Sequence, residues 1–320
     1  MDNVITNNWL EIDHNLFLID ADANQDQHDT NKAFTEKWEA YSKDDENNEN
    51  LNKTIVFQNK WFLSLYGYES EIEIKKKVCN SNYILDAGCG LGQKASWLAE
   101  MAPESKVIAI DFSDSIYIAY KNYKDKYPNM IFAKGDISNT KINDSMIDFT
   151  LCDQVIMHTS DPSKTLQELS RITSYSGNLL CYWYRQKALP RELLDEYFRS
   201  ETRNLSHDDL WKLSKETLEL GKMLSELNIT ANFPDLPSLG IKGGKMDLQR
   251  YIYWNFIKCF WNNDLGYENS LSANFDWYSP VNAKRFTKEE VLSDLKKAKL
   301  KTDYFNEEDA CFSGRFSKVK

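Results

Sequence analysis

Tyr83-Ile84-Leu85-Asp86-Ala87-Gly88-Cys89-Gly90-Leu91-Gly92-Gln93 is the stretch from which the fold can be read. Tyr83, Ile84 and Leu85 are strand formers, and Ala95, Trp97, Leu98 and Ala99 follow at helical spacing, so the segment reads as buried strand, turn and helix. Glycines at 88, 90 and 92 let the backbone turn sharply and approach a ligand with no Cβ in the way. A dinucleotide fingerprint would place its third glycine one position later, where Gln93 stands. The spacing is G-x-G-x-G, which moves the expectation from NAD to another nucleoside.

Outward from the loop, strands and helices alternate. Val107 to Ile110 is a second buried strand ending in Asp111, about twenty residues past the glycines, where a doubly wound sheet places the carboxylate that accepts both ribose hydroxyls. Ser113 or Asp114 can cap the next helix, which leaves Asp111 to the ligand. A third strand, Met130 to Ala133, leads into Lys134-Gly135-Asp136-Ile137. A fourth, Ile147 to Cys152, gives way to Asp153, His158 and Asp161-Pro162, and Pro162 opens a helix with Leu166, Leu169 and Ile172 on its apolar face. Ser176-Gly177-Asn178 turns into a fifth strand, Leu179 to Tyr184. Thr287 and Glu290 form a capping box on a helix from Lys288 to Ala298, and Thr302 to Phe305 and Arg315 to Val319 read as the last two strands.

Ile84, Leu85, Asp86, Gly88, Cys89, Gly90 and Gly92 fill every position of the form (V/I)LD-x-G-C-G-x-G, the first motif of the class I S-adenosylmethionine-dependent methyltransferases. The chain resembles that family, in its small-molecule branch, strongly over 83–185 and to a lesser degree over 285–320. The resemblance implies an α/β fold, a doubly wound Rossmann-like sheet of seven strands whose last strand inserts antiparallel. It implies S-adenosyl-L-methionine as cofactor, held by Asp86, Gly88, Cys89, Gly90, Asp111, Phe112, Asp136, Ile137 and Asp153. Asp136 would take the adenine amino group and the Ile137 N–H a ring nitrogen; a carboxylate accepting from an exocyclic amine separates adenine from guanine. Similar proteins close N-terminal helices over the cofactor, for which Phe34, Trp38, Trp61 and Phe62 are candidates, although an aromatic stripe is more often core packing. The family usually has two glycines before its fifth strand. Asn178 replaces one of them, and Asn tolerates a positive φ better than other side chains.

Methyl transfer from a sulfonium is an in-line displacement that asks the protein mainly for position and desolvation, so no metal cluster or nucleophile triad is expected. A base helps when the acceptor arrives protonated. His158 is the titratable residue placed for that, on the segment after the fourth strand; its alternative is to fix the loop. Tyr278 and Arg285 resemble the family's stretch entering its last helix, which often lines the substrate pocket, and a packed loop is the other reading.

At 320 residues with 42% hydrophobic residues, the chain can bury one large domain with an insertion or two modest ones. The expected division is 1–70, N-terminal extension and helices; 71–185, cofactor-binding core; 186–285, a helical cap over the carboxyl ends of the strands; and 286–320, the end of the core. In the first part, residues 10–19 suggest a hairpin, Thr30 to Tyr41 a helix with Phe34, Trp38 and Tyr41 on one face, and Lys43 to Lys53 a solvated loop. Phe57, Trp61 and Leu65 mark a second helix stopped by Gly67. Within the insertion, Pro190 and Ser206 start helices, and Phe233 to Gly244 reads as a flexible loop. Tyr251 to Trp261 holds six aromatics in eleven positions, too many for one small helical core, so some are expected to line a pocket. Arg250, Lys284 or Arg285 would hold a carboxylate there.

Net charge is −10, and residues 1–60 carry 13 acidic against 5 basic residues, which disfavours nucleic acid as a partner. The insertion is near neutral, with 13 basic and 14 acidic residues, and better suits an anionic acceptor. Six cysteines show no metal-ligand spacing and are expected reduced. No apolar run has membrane-spanning length and Met1 to Ile12 lacks the layout of a signal peptide, so a cytoplasmic location is expected. The expected partners are a small-molecule acceptor and, at most, a second copy in a homodimer. Methylation of a protein side chain and a catalytically silent cofactor-binding subunit are the alternatives.

Overall fold

The computed structural model describes residues 4–6, 8–20, 24–43, 49–202 and 204–319, without the side chains of 38–43 and 49–56. Strands β1 (Trp9–Asp13) and β2 (Leu16–Ile19) precede helices α1 (Gln25–Lys43), α2 (Glu49–Tyr66) and α3 (Glu71–Val78). The alternation then runs β3 (Tyr83–Ala87), α4 (Gln93–Met101), β4 (Lys106–Asp111), α5 (Ser115–Tyr123), β5 (Met130–Lys134), β6 (Ile147–Cys152), α6 (Pro162–Ile172) and β7 (Thr173–Tyr184). After it come α7 (Leu189–Thr202), α8 (His207–Glu226), β8 (Thr230–Phe233), β9 (Gly244–Asp247), α9 (Leu248–Asn255) and α10 (Gly266–Tyr278). Helix α11 (Lys288–Lys297) and strands β10 (Leu300–Glu307) and β11 (Cys311–Lys318) close the chain. Two compact units result, one of residues 1–43, 58–185 and 286–320, the other of 44–57 and 186–285.

In the first unit a single sheet has the order β1-β2-β5-β4-β3-β6-β7-β11-β10. From β5 to β10 this is the expected seven-stranded doubly wound sheet, with β11 antiparallel between β7 and β10. The N-terminal hairpin adds two strands at the other edge, β2 running parallel to β5. It is fastened there by the Phe132 N–H donating to Asn15 O at 2.8 Å and the Trp9 indole donating to Thr140 O at 2.9 Å. The apolar side chains of β3, β4 and β5 from Ile84 to Ala87, Val107 to Ile110 and Met130 to Ala133 are buried, as expected of parallel strands covered on both faces.

Several local expectations change. Helix α1 starts at Gln25 and reaches Lys43, and α2 starts at Glu49, so most of the expected 43–53 loop is helical; residues 44–48 and the side chains of Trp38 and Tyr41 lie outside the described residues. The turn at 176–178 is an irregularity inside β7, where the β6 register steps from Ile147↔Thr173 to Phe149↔Asn178. Asn178 has no positive φ. Gly177 is the residue under constraint, since a Cβ there would stand 2.9 Å from Asp148 O. The expected loop at 233–244 begins and ends in the β8–β9 hairpin and contains a 3-10 turn at Pro237–Leu239.

The second unit is largely helical. Trp211 of α8 stacks on Phe275 of α10 at 4.1 Å, and Phe233 of β8 on Tyr251 of α9 at 3.8 Å. Of the six rings in 251–261, Tyr251 and Tyr253 are buried and the other four are half-buried, and Arg191, Arg250 and Lys258 each lie within 6 Å of the Tyr253 ring. Helix α8 comes close to the segment after α9 at Gly221, where a Cβ would stand 2.2 Å from Cys259 O. Gly221→Ala should therefore lower stability by about 1–3 kcal/mol, as overpacking does, although alanine is the better helix former. Urea unfolding of the variant checks this, and a midpoint at or above that of the natural chain would contradict the packing argument.

Candidate cofactor site

The carboxyl ends of β3, β4 and β5 are level, Ala87 pairing with Ile110, Ile110 with Ala133 and Asp111 with Lys134. The glycine loop is tied to its neighbour strand by backbone: the Gly88 and Cys89 N–H groups donate to Ile110 O at 2.7 and 3.0 Å. Gly88, Gly90 and Gly92 all have positive φ, of 85°, 53° and 79°. At Gly88 space also decides, because a Cβ would stand 2.4 Å from Val155 Cγ1.

Asp111 is less free than its position at the strand end suggested. Its Oδ2 accepts from Gly90 N at 2.7 Å, and its Oδ1 accepts from the Ser113 N–H at 2.8 Å and the Ser113 hydroxyl at 2.6 Å. Neither Ser113 nor Asp114 supplies a side-chain cap to α5; Asp111 closes that turn itself. Burial raises the Asp111 pKa, against the hydrogen bonds from Ser113 and Gly90. The carboxylate is thus a fixed acceptor at the loop, with lone pairs remaining beyond these bonds. Asp136 is similarly positioned, accepting from Ser138 N at 2.7 Å and Ser138 Oγ at 2.8 Å, and the adjacent Gly135 N–H donates to Asp111 O at 3.0 Å. Ile137 is buried, and half-buried Phe112 lies with its ring centroid 6.3 Å from that of His28 on α1.

Beneath the loop is a set of buried charges. Asp153 accepts from the Tyr66 hydroxyl at 2.6 Å through Oδ1 and pairs with Lys94 through Oδ2. Asp86 is 3% exposed, and its Oδ2 has no hydrogen-bond partner. Burial pushes the Asp86 pKa up to about 7, partly opposed by Lys94 and reinforced by Asp153 and Asp111. Burial also pushes the Cys89 thiol well up, so it stays protonated.

His158 ends the 3-10 turn after β6, buried, with its ring 4.9 Å from Phe34 and 5.5 Å from Tyr184, both edge-on. Gln27 of α1 spans this turn, donating to His158 O at 3.2 Å and accepting from Ser160 N at 2.8 Å. Helix α1 therefore lies against the segment after β6. Of the aromatic lid candidates, Phe34 is at this place, whereas Phe62 is core, buried against Tyr66 and Trp97. Tyr278 belongs to the second unit, where it is 2% exposed, its hydroxyl donates to Lys258 O at 3.4 Å, and burial holds the phenol protonated. Arg285 does not await a ligand carboxylate: Glu192 and Glu196 already hold it.

A protein-family model described as a methyltransferase domain matches residues 80–227. Residues 80–227 thus carry a class I S-adenosylmethionine-dependent methyltransferase domain. This is a family of enzymes whose cofactor is S-adenosylmethionine. A probable S-adenosylmethionine-dependent methyltransferase of Mycobacterium tuberculosis is 28% identical over 102 residues, 32% of this chain and 35% of that protein. A malonyl-[acyl-carrier protein] O-methyltransferase of Bacillus anthracis is 24% identical over 173 residues, 49% of this chain and 63% of that protein. A solved structure of a SAM-dependent methyltransferase from Aquifex aeolicus is similar with a TM-score of 0.42 and 16% identity, over 80% of this chain and 92% of that one. The chain spans less than two thirds of the length of the curated relatives it matches. Among the described residues no helix is long and apolar enough to cross a membrane.

The residues present fit the family's cofactor: the glycine turn carries no Cβ at three positions, two carboxylates end consecutive strands, and a buried Asp86 oxygen lacks a donor. Tyr66, Lys94 and Gln27 were not among the site residues inferred from sequence. Lys94 did carry a signal, because a lysine in the first turn of a helix opposes the dipole and calls for a nearby carboxylate.

Asp86 makes stability depend on pH. Its folded-state pKa, about 7, exceeds the ordinary value of 3.8, so the folded form keeps a proton that the unfolded chain has lost. Stability from this group is full below pH 3.8, falls as the pH rises toward 7, and is level beyond. Asp86→Asn does not titrate, so the ligand-free variant should gain on the natural chain between pH 4 and 7, by on the order of 4 kcal/mol at about 1.4 per unit. Urea unfolding across that range checks the slope; parallel curves for the two proteins would show that Asp86 is ionised throughout.

Proposed function

We propose that this protein transfers a methyl group from S-adenosylmethionine to an oxygen or nitrogen atom of a small-molecule acceptor. The observation that carries the cofactor half of this reading is the alignment of Gly88 and Gly90, Asp111 and Asp136 along three consecutive strand ends. When bound, S-adenosylmethionine supplies a methyl group on a positively charged sulfur. The chain's own part is to hold that ligand by the glycine turn, Asp111 and Asp136, and to shield the site from water with Phe34, Tyr184 and helix α1. His158, on the turn after β6, is the residue we assign to receiving the acceptor's proton.

An acceptor with an apolar body and an acidic group suits the second unit, whose interior gathers Arg191, Arg199, Arg250 and Lys258 around aromatic rings. The name of the Bacillus anthracis relative, an O-methyltransferase of a malonyl group on acyl-carrier protein, is in keeping with an acidic acceptor. We assign acceptor recognition to residues 186–285.

Incubation with methyl-labelled S-adenosylmethionine and fractionated cell extract tests the reading. Label should pass to low-molecular-weight compounds. Label in the protein fraction would favour protein methylation, and no transfer despite cofactor binding would favour a silent subunit. By calorimetry, Asp111→Ala should lose about 1.5–3 kcal/mol of affinity for the cofactor, as for hydrogen bonds involving a charged group, and NAD should not bind. Unchanged affinity would remove Asp111 from the site. Once an acceptor is in hand, His158→Ala should lower turnover more than it weakens cofactor binding; turnover equal to that of the natural enzyme would return His158 to positioning the loop.

A further inference from the structure

Between α9 and α10 the chain runs without regular structure, yet its backbone is fixed by buried side chains. Gln249 donates to Cys259 O at 2.8 Å, and Asn274 accepts from Phe260 N at 2.7 Å and donates to Phe260 O at 2.9 Å. The Tyr278 hydroxyl donates to Lys258 O, and α8 closes on Cys259 O at Gly221. Loops ordinarily run over the surface, where water meets their backbone groups; this one is held against the interior by side chains instead.

What the loop delivers to the interior is Lys258. The residue is 7% exposed; its ammonium donates to the Tyr253 hydroxyl at 3.2 Å and stands 5.1 Å from the ring of Tyr253, 5.3 Å from that of Phe260 and 5.2 Å from that of Trp277. Arg250 shares two of these rings, 5.7 Å from Tyr253 and 5.4 Å from Phe260, and donates to Trp261 O. Among the described residues neither cation is paired with a carboxylate. The buried carboxylate of this unit, Asp195, is taken by Arg191 Nε at 2.8 Å. Burial pushes the Cys259 thiol up to about 11 against the opposing charges of Arg191, Lys258 and Arg250, so all three cations bear on one point. Ring faces offset part of the cost of a buried ammonium; an anion offsets far more. Arg250 and Phe260 are half-buried, so the cluster reaches the surface on their side.

We propose that Lys258, seconded by Arg250, holds a carboxylate of the methyl acceptor. The surrounding rings supply the apolar setting in which such an ion pair is strong, and the ammonium selects an anionic acceptor over a neutral or cationic one. This rests on the small-molecule reading above and adds to it the residue that sets acceptor charge. The competing account is that Lys258 and Arg250 serve only to pack the rings of this unit.

Calorimetry on the whole chain with three probes of one apolar body separates these: phenylacetate is the anion, phenethyl alcohol is neutral and phenethylamine is the cation. The natural protein should bind phenylacetate at least about tenfold tighter than phenethyl alcohol, the factor that a charge-assisted hydrogen bond supplies, and phenethylamine weakest. Lys258→Met should bind phenylacetate no better than phenethyl alcohol, with its affinity for the alcohol unchanged, and Lys258→Arg should restore part of the preference. A natural protein that binds phenylacetate no tighter than phenethyl alcohol, or binds neither, overturns the proposal and needs no variant to fold. A Lys258→Met protein weakened alike toward both probes also overturns it and makes the lysine part of the packing. Label transfer from S-adenosylmethionine judges the underlying reading separately. If the accepting compound comes from the extract fraction that an anion exchanger lets through, the methyl-transfer reading stands and this proposal falls. If no fraction accepts label, the reading falls and this proposal with it.

Discussion

The site depends on the attachment of the glycine turn to the end of β4. Two backbone N–H groups, of Gly88 and Cys89, converge on Ile110 O, and the next free N–H, of Gly90, is held by Asp111 Oδ2. A turn with three residues at positive φ has no ladder of its own, so these bonds fix its shape. The same carboxylate closes the turn into α5 through Ser113, and its backbone carbonyl receives the Gly135 N–H. One residue thus joins three strand ends.

Below this clamp the electrostatics are uneven by construction. Tyr66 and Lys94 satisfy Asp153, while Asp86 retains an oxygen with no donor and a pKa raised to about 7 by burial. A folded protein tolerates such an atom when the surrounding packing over-determines it, and functional sites are where such costs collect. The first unit supplies that packing: β3 is buried between β4 and β6, and Phe62, Tyr66 and Trp97 fill the adjoining space.

Much of this was legible from the chain because the decisive signals are local. A strand running into G-x-G-x-G, an acid after the next strand and another after the third are set by backbone geometry that few sequences satisfy. The capping box at Thr287 and Glu290 followed in the same way. What was not legible is contact between residues distant in sequence. Tyr66 meets Asp153 across 87 residues, and Lys94 meets it across 59, with no spacing rule to connect them. The hairpin at the N-terminus was read as a hairpin, but its docking on β5 turns on Asn15 and Phe132, 117 positions apart, since 132 minus 15 is 117. Asp111 was read as the end of the second buried strand, where it stands, yet its engagement with Gly90 N could not be seen, because a pattern reports residue type and not which lone pairs are already in use.

The aromatic run from Tyr251 to Trp261 shows the same limit in a different form. Counting rings suggested walls of a pocket, since six large apolar groups overfill a small helical core. The core of the second unit is not purely apolar. Arg191 is 1% exposed and lies over Tyr253 and Trp277, donating to Asp195 at 2.8 Å, and Lys258 lies over Tyr253, Phe260 and Trp277. Rings whose faces accept cations need not be surrounded by apolar groups alone, so buried arginine and lysine can share a core with them. Asp195 offsets only part of that charge, and its Oδ1 has no hydrogen-bond partner. Among the described residues the buried charged groups of this unit are three cations, Arg191, Arg199 and Lys258, and one carboxylate, Asp195.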